Sequence, residues 1–306
     1  MIHRLLAAAA AFAFVHPIAA QEAPPAQPSP SEIVDAAPAA DWVAIAPSDL
    51  LVMDLAPYAA GKARRVIIQL MPAPFSQGWI ANIRKLAAAR WWDGTSINRV
   101  QDNYVVQWGD ATEKKALPDG LVTVPESAYL SERQRETTTW LASANGTYAP
   151  HHGVLAGWPV AWNADAVWPV HCYGMVGVGR NLSPDTGSGA ELYTVIGHAP
   201  RHLDRNIALV GRVVEGIEHL SSLPRGTDAL GFYEEDSQRV PIVSIRIATD
   251  LPAAEQPRFE YLSAQSGSFA KYADARANRR DPFFIRPAGG ADICNIPVPV
   301  RPIGAK

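Results

Sequence analysis

The sequence predicts a mainly β protein, a barrel-like sheet with helices closing its ends. Two observations carry that expectation. Short runs rich in Val, Ile, Leu and Tyr recur along the chain, at residues 50–53, 66–70, 97–108, 192–196, 207–213 and 241–248. Against them, only residues 76–87 and 214–223 carry firm helical patterns. Composition agrees. Of 306 residues, 48% are apolar and 19% charged, with a formal net charge of −3, which suits one large or two small domains able to bury a core. The same figures exclude a wholly disordered chain, a coiled coil and a basic nucleic-acid binder, whose phosphate contacts need clustered Lys and Arg. Two cysteines exclude a disulfide scaffold and a four-cysteine zinc module.

Residues 1–20 read as a signal peptide. His3 and Arg4 precede an apolar run over 5–15, and Ile18-Ala19-Ala20 offers small residues before Gln21. The run is shorter than the ~20 residues of a membrane span, which favours cleavage over an uncleaved anchor. No cysteine follows the cleavage point, so no lipid anchor is expected, and no later stretch is apolar enough to span a bilayer. Removing Arg4, the one charged residue of the leader, takes the net charge from −3 to −4. The expected location is the periplasm. Residues 21–40 carry Pro24, Pro25, Pro28, Pro30 and Pro38 among alanines, the composition of a stiff, extended linker. The folded part is expected to begin at Asp41. There is no internal repeat.

Within it, 50–53 and 66–70 form an expected hairpin about a turn with Pro57, Gly61 and Lys62. Ser76 can cap a helix in which Ile80, Ile83, Leu86 and Ala87 face inward and Arg84 and Lys85 outward. Asp93-Gly94 marks a turn. The β-like run 97–108 is broken at Gln101-Asp102-Asn103. A long segment to Val170 holds Trp140, Trp158, Trp162 and Trp168 among prolines and glycines. After the strands at 192–196 and 207–213, a helix over 214–223 stops at Pro224. Residues 241–248 alternate apolar and polar, as a strand does. Beyond Asp250 a helix over 259–277 and a proline-rich tail from Ile296 make a C-terminal extension, residues 251–306.

The stretch Ser96 to Asp110 is the most informative for chemistry. On a regular strand Ile97, Arg99 and Gln101 share a face, and beyond the break Val105 and Gln107 share one. That sets a fixed cation and an amide beside an apolar wall. Spacing alone leaves open the plainer alternative, a solvated arginine and a routine cross-strand glutamine.

These residues resemble the cyclophilin signature, Phe-His-Arg-Ile-Ile followed by Gly-Phe-Met-x-Gln-Gly-Gly-Asp, without gaps. Arg99 matches the family's catalytic arginine. Tyr104 and Val105 match the Phe and Met of its proline pocket, Gln107 its substrate-binding glutamine, and Gly109-Asp110 the end of the motif. Upstream, Ala81-Asn82-Ile83-Arg84-Lys85-Leu86 resembles its Glu-Asn-Phe-x-x-Leu helix. Downstream, Leu192-Tyr193-Thr194-Val195-Ile196-Gly197 resembles its Phe-Phe-Ile strand. His202-Leu203-Asp204 resembles Trp-Leu-Asp, and Val210-Gly211-Arg212-Val213-Val214-Glu215-Gly216 resembles Phe-Gly-x-Val-x-x-Gly. The likeness spans residues 49–250. It implies a closed eight-stranded barrel capped by two helices over residues 41–250, with an insertion at 111–174, and peptidyl-prolyl cis–trans isomerase activity. Asn98 stands where the family has His, and a family histidine further along falls near Ile207. The groove-lining Met-Ala-Asn strand maps to residues 175–179. These departures bear on rate, sequence preference and cyclosporin affinity more than on reaction type.

The chemistry is consistent with that resemblance. Rotation about a peptide bond meets a barrier of ~18–20 kcal/mol, and uncatalysed X–Pro exchange takes tens to hundreds of seconds. No covalent step, metal or other cofactor is needed. A catalyst must hold the proline ring and favour the twisted amide, whose nitrogen has become a hydrogen-bond acceptor. A guanidinium is permanently charged and donates in a fixed plane. Arg99 is therefore the expected catalytic residue, with Gln107 holding a backbone carbonyl and Tyr104, Val105, Tyr193, His202 and Leu203 contacting substrate. The expected partners are proline-containing unfolded or folding polypeptides, bound by a monomer. The alternative is a periplasmic chaperone that grips proline segments with little turnover, suggested by the altered pocket residues and the Trp-rich insertion.

Other signals are weaker. His151-His152, His171 and the pair His198 and His202 lack zinc-ligand spacing with carboxylates or cysteines. Gly177-Val178-Gly179-Arg180-Asn181-Leu182 lacks the third glycine of a dinucleotide fingerprint, and there is no Gly-x-Ser-x-Gly elbow. Cys172 and Cys294 either form a bridge tying the tail to the barrel, the favoured reading for an exported protein, or remain buried thiols. Asn145-Gly146-Thr147 is a sequon by pattern. The insertion is expected to bury its own tryptophans in a local mini-core, the alternative being a lid or partner surface.

Overall fold

The computed structural model describes residues 27–132, 138–140 and 147–304. The leader and Asn145 of the sequon lie outside them. Sixteen strands are described: β1 (Trp42–Ala44), β2 (Leu50–Leu55), β3 (Arg64–Leu70), β4 (Ser96–Val100), β5 (Val105–Gly109), β6 (Ser131–Glu132), β7 (Thr138–Trp140) and β8 (His151–Leu155), then β9 (Trp158–Trp162), β10 (Ala166–Pro169), β11 (Met175–Val178), β12 (Leu192–Val195), β13 (Leu209–Glu215), β14 (Val240–Ile247), β15 (Phe259–Leu262) and β16 (Val300–Pro302). The helices are α1 (Pro30–Asp35), α2 (Gln77–Ala88), α3 (Glu218–Ser221) and α4 (Gly267–Ala277).

Eight strands close into an antiparallel barrel in the order β11-β12-β5-β4-β14-β2-β3-β13. The β2–β3 hairpin starts it, with Met53 opposite Val66. Leu51, Met53 and Leu55 point to the barrel core. Leu50 and Val52 point outward into a second apolar cluster with Ile67, Ala248 and Phe259. Both faces of β2 are thus covered, which is why its sequence reads as a continuous apolar run instead of alternating. Asp54, at the strand's end, pairs with Arg65 at 2.8 Å.

Helix α2 buries Trp79, Ile80, Ile83 and Leu86. Ser76 occupies its N-cap position, yet its side chain makes no capping bond and its φ is 54°. The buried Asn82 amide donates to the carbonyls of Val122 (2.9 Å) and Ser188 (3.0 Å) and accepts from Val122 N, so the helix is tied to two loops. The second capping helix is shorter than the sequence predicts. β13 pairs with β3 as far as Glu215 opposite Ile67, and this ladder takes up the first residues of the expected 214–223 helix, leaving one turn, α3.

The insertion folds as a five-stranded sheet, β6-β10-β9-β8-β7. Trp158, Trp162 and Trp168 are buried, but in a cluster continuous with the barrel core and not in a mini-core of their own. Arg212 explains part of that continuity. It projects from β13, donates to Gln69 (2.9 Å) and to the Gly157 carbonyl (2.8 Å), and lies 4.5 Å from the Trp158 ring centroid. Burial lowers its pKa to about 10.

The ends of the chain fold together. Residues 30–35, expected as extended linker, form a helix, because Ser29 and Glu32 make a reciprocal capping box ahead of Pro30 at the first turn. Its neighbour is α4. The expected 259–277 helix is instead β15 followed by α4, and β15 sits between β1 and β16 in a three-stranded sheet. Ser266 caps α4 by accepting from Phe269 N at 3.0 Å, which fixes where strand gives way to helix. Cys172 and Cys294, 122 residues apart, are joined by a disulfide. Replacing both by serine is expected to lower unfolding free energy by about 2–4 kcal/mol. Denaturant midpoints of the two proteins would measure this, and coincident curves would refute it.

Candidate active site

The β4–β5 hairpin sets Arg99 opposite Gln107. The register shifts between Ile97 and Arg99, and this bulge alters the facing expected from strict alternation. Ile97 and Val100 both enter the core, whereas Arg99 turns out toward a groove with Gln101 beside it. β14 pairs with β4 only at Ser96 and Ile97, and a loop completes that edge beyond them, with Gly226 N donating to Val100 O (2.9 Å) and Tyr233 N to Asn98 O (3.0 Å).

That loop also holds the guanidinium. Arg99 Nε donates to Leu230 O at 2.8 Å, Nη1 to Gln107 Oε1 at 3.1 Å, and Nη2 to Gln101 Oε1. The group lies 5.4 Å from the Phe232 ring centroid and 5.9 Å from that of Tyr104. Burial pulls its pKa below the ordinary arginine value, and the side chain remains charged at any ordinary pH. Sequence reasoning missed Leu230 and Phe232, whose loop lies some 130 residues downstream of Arg99 and carries no motif.

Beside the guanidinium is an apolar wall. Val105, Tyr193 and Val195 form one buried cluster, with Tyr104 and Ile207 packed against it. Arg99, Gln107, Tyr104, Val105, Tyr193 and Leu203 all line a single groove of about 750 Å³. His202 is the exception among the expected contacts. It is exposed and stacks on Tyr104, ring centroids 6.2 Å apart.

The floor of the pocket is polar underneath. The Tyr193 hydroxyl meets His171 Nε2 at 2.9 Å, and His171 Nδ1 meets Asp204 Oδ1 at 2.9 Å. Asp204 also accepts from His171 N (3.0 Å) and from Arg201 Nε (2.6 Å). His171, Asp204 and Arg201 are 1%, 5% and 6% exposed. Gly177 leaves room for this arrangement, since a Cβ there would lie 2.3 Å from the Tyr193 hydroxyl. Burial holds the His171 pKa below the ordinary imidazole value, with the Asp204 hydrogen bond opposing it. The unfolded chain therefore binds a proton here that the folded chain refuses, so this group's contribution to stability falls as pH drops through 6.5. The sequence motif marks Asp204, but nothing local links it to His171.

The neighbouring Glu191 was also unmarked. Burial raises its pKa to about 7, while donors from Asp110 N, Gln107 and Asn98 pull the other way. Among the described residues no group of three or more His, Cys, Asp or Glu could hold a metal ion, and no helix is long and apolar enough to cross a membrane.

Residues 63–248, more than half of the chain, match the family model of the cyclophilin-type peptidyl-prolyl cis-trans isomerases. The chain belongs to the cyclophilin family. Among solved structures, this cyclophilin is similar to one from Hirschia baltica, with a TM-score of 0.67 and 22% identity over 85% of this chain and 93% of that one. The shared fold therefore reaches beyond the matched domain. A cyclophilin-type isomerase from Cryptosporidium parvum, crystallised in the presence of the dipeptide Ala-Pro, matches with a TM-score of 0.39 and 11% identity, over 65% of this chain and 98% of that one. No curated protein matches the sequence. Family and barrel together make this chain a peptidyl-prolyl isomerase.

Proposed function

We propose that this cyclophilin isomerises X–Pro bonds in folding polypeptides after export, with Arg99 as the catalytic residue. The observation that carries the reading is the union, in one groove, of a half-buried guanidinium, the Gln107 amide and the Val105–Tyr193 apolar wall. The proline ring packs against Val105, Tyr193 and Leu203, with Tyr104 at the rim. Gln107 donates to a backbone carbonyl of the substrate. Arg99 donates to the prolyl amide as it twists out of conjugation, when the nitrogen lone pair becomes available. The interaction is stronger in the twisted state than in either planar isomer, which is the condition for lowering a barrier. No bond is made or broken, and no proton moves.

Export is supported by the apolar leader with its small-residue end and by a disulfide, a bond that persists in oxidising compartments. Clients are then secreted or periplasmic chains whose prolines have yet to reach their native isomer.

A protease-coupled assay on a panel of Xaa-Pro peptides tests the activity. Exchange faster than the uncatalysed rate, saturable in peptide, is the expected result. Peptide binding without acceleration would transfer the protein to the holding role, a chaperone for proline segments.

A further inference from the structure

Gln107 bridges a cation and an anion. Its Oε1 accepts from Arg99 Nη1 at 3.1 Å, and its Nε2 lies on the Glu191 side, both side chains coming within 3.5 Å of where a Cβ on Gly179 would sit. The Glu191 carboxylate accepts from Asp110 N at 2.7 Å. Gly109 makes the approach feasible, because a Cβ there would lie 1.9 Å from Glu191 Oε1.

A guanidinium can only donate and an ionised carboxylate can only accept. An amide caught between them has a single orientation, oxygen toward Arg99 and nitrogen toward Glu191. The Asn98 amide favours the ionised form of the same carboxylate. Its buried Oδ1 is left without a hydrogen-bond partner among the described residues, an arrangement that costs free energy.

We propose that Glu191 is the positioning residue of this groove: its ionised carboxylate sets the polarity of the Gln107 amide and, through it, the bearing of the Arg99 guanidinium. The inference rests on the isomerase reading above and adds a residue to it. Protonated, the acid could donate as well as accept, and the amide would be held in its orientation from the Arg99 side alone. The charges around Glu191 leave it as the group that titrates near neutrality. Asp110 repels it but is itself kept ionised: burial raises its pKa, and N–H groups of Lys115, Thr112 and Lys114 outweigh that. Lys115 is engaged by the Asp93 carbonyl and Arg180 by that of Asn206. Asp185 accepts from Asn181 N and Gly187 N. Arg239 pairs with Asp236, and Glu113 lines the same groove.

Glu191→Gln preserves shape and removes the charge. Its kcat is expected to fall on the order of 3- to 10-fold at pH 8, with little change in KM. Wild-type kcat should fall by a similar factor between pH 8 and pH 5.5, with a midpoint near 7. The variant should lack that step. Its melting temperature at pH 8 should rise, because a carboxylate held partly out of water is gone, whereas a group needed only for structure would lower it. Equal kcat and the same pH profile in both proteins would overturn the proposal. The side-chain amide NMR signal of Gln107, assigned with Gln107→Glu, reads the contact without turnover. It should titrate near pH 7 in the wild type and stay still in Glu191→Gln. If the wild type proves inactive, the isomerase reading fails, and this signal still decides whether Glu191 governs Gln107. A signal that ignores pH overturns the proposal.

Discussion

Arg99→Ala is expected to reduce kcat/KM for X–Pro isomerisation by about 10²–10³-fold while the protein stays folded. A preorganised donor aimed at a transition-state acceptor contributes on that scale. Three of its N–H groups are spent on Leu230 O, Gln107 and Gln101, and the side chain lines the groove. The ties to the protein make the guanidinium rigid, so little entropy is lost when the twisted amide arrives. Stability should change by only about 1 kcal/mol, because the side chain is half exposed and its bonds can be replaced by water. Arg99→Lys should recover little, since a single ammonium cannot hold Leu230, Gln107 and the substrate at once. Rates from the coupled assay, alongside circular dichroism and thermal melts, decide it. A folded alanine variant with the wild-type rate removes Arg99 from the mechanism.

Asp204→Ala is expected to destabilise the fold by about 3–5 kcal/mol, the scale for stripping one partner from a buried ion pair. Its two oxygens serve three donors, His171 N, His171 Nδ1 and Arg201 Nε, at 2.6–3.0 Å. Without that carboxylate Arg201 keeps a longer contact to Asp292, 3.6 Å, and the Tyr148 ring, 5.1 Å from its centroid, and stays buried with its charge. His171 loses the partner that fixes its ring, and Tyr193 loses a fixed His171. The variant should therefore melt on the order of 10 °C lower, and where it remains folded its KM for proline peptides should rise. Asp204→Asn should be milder, since one oxygen still accepts from His171. A melting temperature within a degree or two of wild type would refute the account.

The barrel was legible in the sequence wherever one residue pattern answered to one environment. The β2–β3 hairpin, the 97–108 hairpin with its break at residues 101–103, and the buried stripe of α2 fall where periodicity puts them. The departures have local causes. The bulge at Ile97 shifts the facing of β4, a change that alternation cannot anticipate. The helix before Pro224 shrank because a barrel ladder claimed its first residues. Proline-rich composition hid α1, since a proline in the first turn of a helix is no obstacle to it.

For the site, the arginine, the glutamine and most of the apolar wall stand in one motif and its separated echoes. The supporting residues do not. His171 reaches Asp204 across 33 positions, Leu230 reaches Arg99 across 131, and Glu191 reaches Asp110 across 81. Only closure of the barrel brings these pairs together, and a one-dimensional pattern holds no trace of it.

Barrel closure also dictates an order of events. The first hairpin to leave the ribosome, β2–β3, has β14 and β13 as its outer neighbours, and these end at Ile247 and Glu215. Until most of the chain has been made, two sheet edges lack hydrogen-bond partners and present apolar side chains, a condition that invites pairing with other chains. The nascent protein must therefore be kept from collapsing onto its neighbours in the meantime. If the chain is exported unfolded, as we propose, that delay is an advantage, because nothing compact has formed that could block the passage.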